Sequence, residues 1–146
     1  MITLTFEKYI NAPAQKVWQV LWNEDSYRQW TEAFMPGSRM VSDWKPGGKT
    51  YFLSPEDDGM VATIESLNEP YEVVFRQLGE VNKGVEDTTS EKVQAYNGSY
   101  EKYFLTEVGG QTRLVGTVDT LEEYKHIMER GFTQGFEIVK RLSENN

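Results

Sequence analysis

The chain has 146 residues, no cysteine and a single histidine, His126. Without cysteine there are no disulfides, no thiolate metal sites and no sulfur nucleophile. One histidine without cysteine partners does not make a transition-metal centre or a Ser-His-Asp triad. Long apolar runs are also missing. The opening Met1-Ile2-Thr3-Leu4-Thr5-Phe6-Glu7 alternates, so it reads as neither a signal peptide nor a membrane span. Basic side chains are outnumbered, 15 Lys and Arg against 23 Asp and Glu, for a net charge of −8. Lys and Arg are scattered, as at Lys140-Arg141, and such a surface repels phosphate backbones, so no nucleic-acid partner is expected. The missing thiols fit a reducing compartment, and the expected location is cytoplasmic. No Walker loop, dinucleotide fingerprint, nucleophile elbow or metalloprotease helix is present. No cofactor or metal is expected, and enzymatic activity is not the favoured reading.

The chain is rich in rings. Aromatic residues make up 13% of it, as 4 Trp, 8 Tyr and 7 Phe, with 38% hydrophobic and 26% charged residues overall. That balance is that of a folded globule with one core, and residues 1–146 are read as one domain.

Periodicity orders the elements. Residues 2–10 alternate, with Ile2, Leu4 and Phe6 on one face, and predict a half-buried strand. Pro13 suits the first turn of a helix, and Ala14, Val17, Trp18, Leu21 and Trp22 form a helical stripe behind it. Asn23 ends that helix or caps a second, short one carrying Tyr27 and Trp30. Residues 31–48 read as irregular, punctuated by Pro36-Gly37 and Pro46-Gly47-Gly48. Strands are predicted at 49–54, 60–67 and 71–78, with turns at Asp57-Asp58-Gly59 and Asn68-Glu69-Pro70. Residues 79–94 read as a long acidic connection carrying Glu80, Glu86, Asp87 and Glu91, either a functional flap or a mobile loop. Strands at about 96–107 and 111–120 meet at Gly109-Gly110. From Leu121 to about Leu142 the period turns helical, with Tyr124, Met128, Phe132, Gly135, Val139 and Leu142 on one stripe and Ile127, Gly131 and Ile138 beside it. The order β-α-α-β-β-β-β-β-α gives an α+β fold, a curved six-stranded antiparallel sheet covered by the long C-terminal helix.

Three stretches carry a family resemblance. They are Ile10-Asn11-Ala12-Pro13 through Val17-Trp18 to Trp30; Pro46-Gly47-Gly48 with Asp58-Gly59, Glu69-Pro70 and Val73-Val74-Phe75; and Gly109-Gly110-Gln111-Thr112-Arg113-Leu114 before the final helix. In order and spacing they resemble the SRPBCC superfamily (START-like, helix-grip), in particular bacterial proteins similar to the Aha-type heat-shock ATPase activators. The segment from Gly84 to Tyr103 is longer than the hairpin the family leads one to expect. Where that branch often has a mid-helix Trp, this chain reads Gly131-Phe132-Thr133-Gln134-Gly135-Phe136. Two mid-helix glycines cost roughly 1 kcal/mol each relative to Ala. They mark either a thin wall facing a cavity or a tight approach to the sheet, and the tight approach is favoured.

The resemblance implies the helix-grip fold and a deep, mostly apolar cavity between sheet and final helix, but no one reaction, because members include lipid carriers, cyclases, receptors and co-chaperone domains. The first expectation is a module binding an apolar or amphipathic small molecule or lipid in that cavity. The alternatives are a cyclase- or hydrolase-type enzyme using Tyr or carboxylate groups, and a co-chaperone-like domain with a protein partner.

Candidate ligand-binding residues are Tyr51, Phe75, Tyr100, Tyr103, Met128 and Phe132, because apolar pockets take rings with a few polar handles. Trp44, Phe52 and Phe104 belong to the same class. Both faces of strand 98–106 carry aromatics, which leaves its inward face open. Trp18, Trp22 and Trp30 are expected to pack the early helices onto the sheet edge. His126 is expected to be exposed, Glu122-Glu123 to favour a helix N-terminus, Glu86-Asp87-Glu91 to be a solvated loop, and Arg76 to face solvent.

Overall fold

A computed structural model of the chain describes residues 1–145. The early strand forms as its alternation predicts, as β1 (Ile2–Ile10), followed by α1 (Ala14–Trp22) and α2 (Glu24–Trp30). Asn23 closes the first helix and opens the second, and its side chain makes no capping hydrogen bond. The remaining strands are β2 (Arg39–Ser42), β3 (Lys49–Leu53), β4 (Gly59–Asn68), β5 (Glu72–Asn82), β6 (Val85–Asp87), β7 (Tyr100–Val108) and β8 (Gln111–Thr120). A short helix α3 (Glu91–Gln94) precedes β7, and α4 (Lys125–Glu144) ends the fold after a single 3₁₀ turn.

The sheet is antiparallel in the order β1-β8-β7-β5-β4-β3-β2, with β6 hydrogen-bonded to β5. It has eight strands, not the expected six. Residues 31–48 are not wholly irregular, because Arg39–Ser42 pairs with β3 as an edge strand. The acidic stretch 79–94 is not one long loop either. Strand β5 runs on to Asn82, turns through Lys83 and Gly84 at φ of 52° and 80°, and returns as β6. Helix α3 follows, its first turn capped by Ser90 Oγ, which accepts from the Val93 N–H, and Val93 is fully buried beneath it. Each unit is too short to show a period of its own, which hid both strands in the sequence.

Register decides which side chains face the helices. One row across the concave face reads Leu4, Val118, Glu101, Phe75, Ile64; the next reads Phe6, Gly116, Tyr103, Val73, Leu67. Helix α4 lies over these rows. Phe132 stacks on Phe6 with ring centroids 4.8 Å apart, and Phe136 sits over Gly116. A Cβ on Gly116 would come within 2.8 Å of the Phe136 ring, so the missing side chain there is what seats that ring. Large aromatic groups of this kind each contribute about 3–5 kcal/mol when truncation to Ala is the measure. An ion pair from Lys8 to Glu137 and a hydrogen bond of 2.8 Å from the Asn11 N–H to Glu144 Oε2 tie the helix flank to β1 and its following turn.

The final stripe differs from the expected one. Tyr124 and Ile127 are exposed, whereas Phe136, outside the predicted stripe, is buried. The helix starts at Lys125 after the 3₁₀ turn, which rotates the buried face. Its two glycines mark a tight approach as favoured, but the neighbour is α2 and the segment after it, not the sheet. A Cβ on Gly131 would meet the Phe34 ring at 2.3 Å, and one on Gly135 would meet the Trp30 carbonyl oxygen at 2.7 Å.

Gly135→Ala therefore sets a helix gain of about 1 kcal/mol against a clash with a carbonyl that cannot move aside. Urea unfolding is expected to show a net loss of about 1–3 kcal/mol. A net gain in stability would mean that α4 does not approach α2 this closely.

Candidate functional site

Alternation along β7 turns Tyr103 and Leu105 inward and Tyr100, Lys102 and Phe104 outward. The same parity places Glu101 on the concave face, between Val118 and Phe75. A carboxyl in an apolar row is costly when ionised unless it is paired. Here the neighbours are phenols, not cations. Burial pushes the Glu101 carboxyl from 4.5 up to about 7, and a hydrogen bond donated by Tyr103 offsets part of that rise. Tyr103 is held well above its usual range, by burial first and then by the nearby Glu101 and Tyr27. Tyr27 on α2 is shifted the same way, by burial and then by the charge of Glu101. One carboxyl and two phenols thus share one interior. Glu101 as a whole residue is half-buried.

Trp22 roofs this group. Its ring stands edge-on to Tyr103 at 4.9 Å and to Phe75 at 5.7 Å, and it lies 5.5 Å from Trp44. It therefore projects over the middle of the sheet, not its edge as expected. The indoles of its neighbours are satisfied: Trp18 Nε1 donates to Glu69 Oε1 at 2.8 Å and Trp30 Nε1 to the Leu21 carbonyl at 2.9 Å. Trp22 Nε1 is buried and has no acceptor. Buried donors without a protein partner are uncommon.

Beside Trp22 a cavity of about 210 Å³ opens between α2 and β2, lined by Trp22, Glu24, Tyr27, Arg39, Met40 and Val41. Under α4 itself the space is occupied by side chains: Phe132 packs against Phe6, Phe34 and Phe136 with centroids 4.8, 5.0 and 5.6 Å apart. A shallower groove lined by Lys49, Arg76, Gln77 and Asn97 lies elsewhere on the chain.

The residues singled out from the sequence divide accordingly. Phe75 and Tyr103 lie on the concave face beneath Trp22. Phe132 and Met128 belong to the packing of α4, the first buried and the second half-buried. Tyr51 faces the other way, where its hydroxyl donates to Glu86 Oε2 at 2.7 Å, and that carboxylate also pairs with Lys49. Tyr100 is outward too, beneath the Lys102 ammonium at 4.8 Å. Arg76 pairs with Glu65 at 3.3 Å, and the imidazole of His126 is almost wholly exposed. Neither Tyr51 nor Tyr100 joins the concave cluster. Glu101, Trp22 and Tyr27 do, and none of them is among the ligand-binding candidates read from the sequence. The available signal was the clean inward series Thr112, Leu114, Gly116, Val118 on β8, whose pairing with β7 fixes Glu101 inward. No group of three or more His, Cys, Asp or Glu side chains suited to a metal ion occurs among the described residues.

The family described as "Activator of Hsp90 ATPase homolog 1-like protein" matches residues 11–142. The chain belongs to that family. Its solved relatives agree in fold. The Aha1 dimer from Colwellia psychrerythraea superposes with a TM-score of 0.71 at 15% identity, covering 99% of this chain and 97% of that one. Protein MLL2253 from Mesorhizobium loti gives 0.72 at 14% identity, covering 97% and 96%. ChR145 from Cytophaga hutchinsonii gives 0.69 at 21%, covering 99% and 95%. A search of curated protein sequences finds no match. The activator-homologue family comprises ligand-binding and co-chaperone-like domains on this helix-grip frame, and no helix among the described residues is long and apolar enough to cross a membrane.

In this family member, stability should depend on the proton of Glu101. Between pH about 4.5 and 7 the folded chain keeps that proton while the unfolded chain loses it, so stability falls as pH rises through this window. The full effect is on the order of 3 kcal/mol. Glu101→Gln should flatten the dependence and unfold later than the parent at pH 8. Equal slopes for the two proteins in urea titrations between pH 5 and 8 would show that Glu101 is not held in this environment.

Proposed function

We propose that the chain is a small-molecule binding module whose ligand sits in the cavity beside Trp22, between α2 and β2, and not beneath α4. The observation that carries this reading is an opening walled by Trp22 and Tyr27, where the buried Trp22 indole N–H has no protein acceptor. Binding sites typically combine apolar walls with a few polar groups and shifted acids. At about 210 Å³ the cavity suits a compact ligand and is too small for a long acyl chain.

The Trp22 indole proton provides the test. In proton–nitrogen NMR spectra, a library of small amphipathic fragments should contain members that shift the Trp22 Hε1 signal. Met40→Trp, which fills the cavity from β2, should abolish those shifts while the protein stays folded. Fragments that perturb only residues around Lys49 and Arg76, or that bind Met40→Trp unchanged, would move the site elsewhere.

A second reading, proton transfer by Glu101 with Tyr103 as its hydrogen-bonding partner, is favoured by the position of that carboxyl near neutrality. Acid–base groups work best with a pKa close to the working pH. Mass spectrometry of a bound compound after long incubation decides this reading, and complete recovery of unchanged compound rules it out.

A further inference from the structure

Asn97 is the one asparagine in the sequence that a glycine follows. It lies in the turn between α3 and β7, apart from the cavity beside Trp22. Asn97 and Gly98 are both exposed. Gly98 sits at φ 82°, and a Cβ there would meet nothing within 4 Å. A glycine nitrogen is unhindered by a side chain, and its flexible backbone lets it reach the amide carbon of the preceding asparagine. In the folded chain hydrogen bonds oppose that approach. The Asn97 N–H donates to the Val93 carbonyl at 2.8 Å, and the Gly98 N–H donates to the Gln77 carbonyl of β5 at 2.8 Å. The Gln77 N–H donates in turn to the Ser99 carbonyl, also at 2.8 Å, so the turn is fastened to β5 on both sides of the glycine. Val93, fully buried, anchors α3 just before it.

We propose that Asn97-Gly98 is a site of spontaneous covalent modification, held closed by the docking of this turn on β5 and opened when α3 lifts away. The Gly98 nitrogen gives up its proton and attacks Asn97 Cγ. The Cγ–Nδ2 bond breaks, ammonia leaves with the proton, and a succinimide ring closes. One water then opens the ring. Attack at Cγ yields aspartate, and attack at the main-chain carbonyl carbon of residue 97 yields isoaspartate, in which the chain runs through the former side chain. The two products have different consequences. Lys49, Arg76 and Thr88 share a groove with Asn97, and no carboxylate is in its lining. Both cations already touch carboxylates outside that lining, Lys49 on Glu86 and Arg76 on Glu65. An aspartate at 97 is therefore tolerated without a large gain, as exposed pairs contribute little. Isoaspartate instead adds a carbon to the main chain between the N–H groups of residues 97 and 98. Their bonds to Val93 and Gln77 then no longer fit together, and α3 and its turn come loose from β5.

The full chain is incubated in warm, mildly alkaline buffer, folded or in denaturing urea. Mass spectrometry of the tryptic peptide 93–102 follows the change from amide to acid, and fragment ions assign it to residue 97. The unfolded chain is expected to convert at least about tenfold faster than the folded one, because the folded chain must first open locally. Val93→Ala, which loosens α3, should raise the rate in the folded chain several-fold, with circular dichroism recorded alongside to show that it is folded. If that variant does not fold, the comparison of folded and unfolded parent still decides. Equal rates in the folded and unfolded parent, or an unchanged rate in folded Val93→Ala, overturn the gate. Conversion in urea no faster at Asn97 than at Asn68 or Asn82 overturns the site itself. Asn97→Asp is expected to unfold at the same urea concentration as the parent, and the isoaspartate form, separated by chromatography, at a lower one. The reverse order would contradict the assigned consequences of the two products.

Discussion

The arrangement turns on one carboxyl kept among rings. Glu101 occupies the middle of a concave row that is otherwise Leu4, Val118, Phe75 and Ile64, and it has no cationic partner there. An ionised group in such surroundings costs several kcal/mol unless it is paired, protonated or reached by solvent. Protonation and the hydrogen bond donated by Tyr103 together offset that cost. A carboxyl serving stability alone would be replaced profitably by Leu or Val. Its presence here is a local sacrifice of stability.

The rest of the core shows why the opening is there and not under α4. Gly131 and Gly135 let α4 descend until Phe34 and the Trp30 carbonyl touch its backbone, and Gly116 lets Phe136 settle onto β8. These three glycines close the space between the terminal helix and the sheet. Ring size does the remainder, since Phe6, Phe34, Phe132 and Phe136 fill what the backbone leaves. At the other end α1 and α2 meet β2, a four-residue edge strand whose side chains cannot fill the gap that Trp22 spans. Beneath the final helix, where the resemblance implies a deep apolar cavity, these rings pack together, and the lined opening beside Trp22 lies near the helix pair.

Much of this was legible in the chain. The alternation of 2–10 and 111–120 and the helical stripe after Pro13 translate directly into β1, β8 and α1, because period and burial agree over many residues. Short elements failed for the opposite reason. Four residues in β2 and three in β6 are too few to show alternation, and they gain their strand character from the neighbouring strands they pair with, at Tyr51 and Val81 among others. The site was harder still. Between Tyr100 and Leu105 both parities carry aromatics, and only pairing with β8 shows that Glu101 and Tyr103 turn inward while Tyr100 does not. Trp22 looked like another member of a helix stripe. What distinguishes it, an indole without an acceptor, is a property of three-dimensional neighbours that no spacing rule encodes.

Site-resolved carbon-13 NMR titration of the Glu101 carboxyl, assigned by comparison with Glu101→Gln, reads out whether that group is held neutral among the rings. The expected result is a midpoint near pH 7 and a simultaneous response of the Tyr103 and Tyr27 ring signals. A midpoint close to 4.5, with those rings silent, would place the carboxyl in water and contradict it.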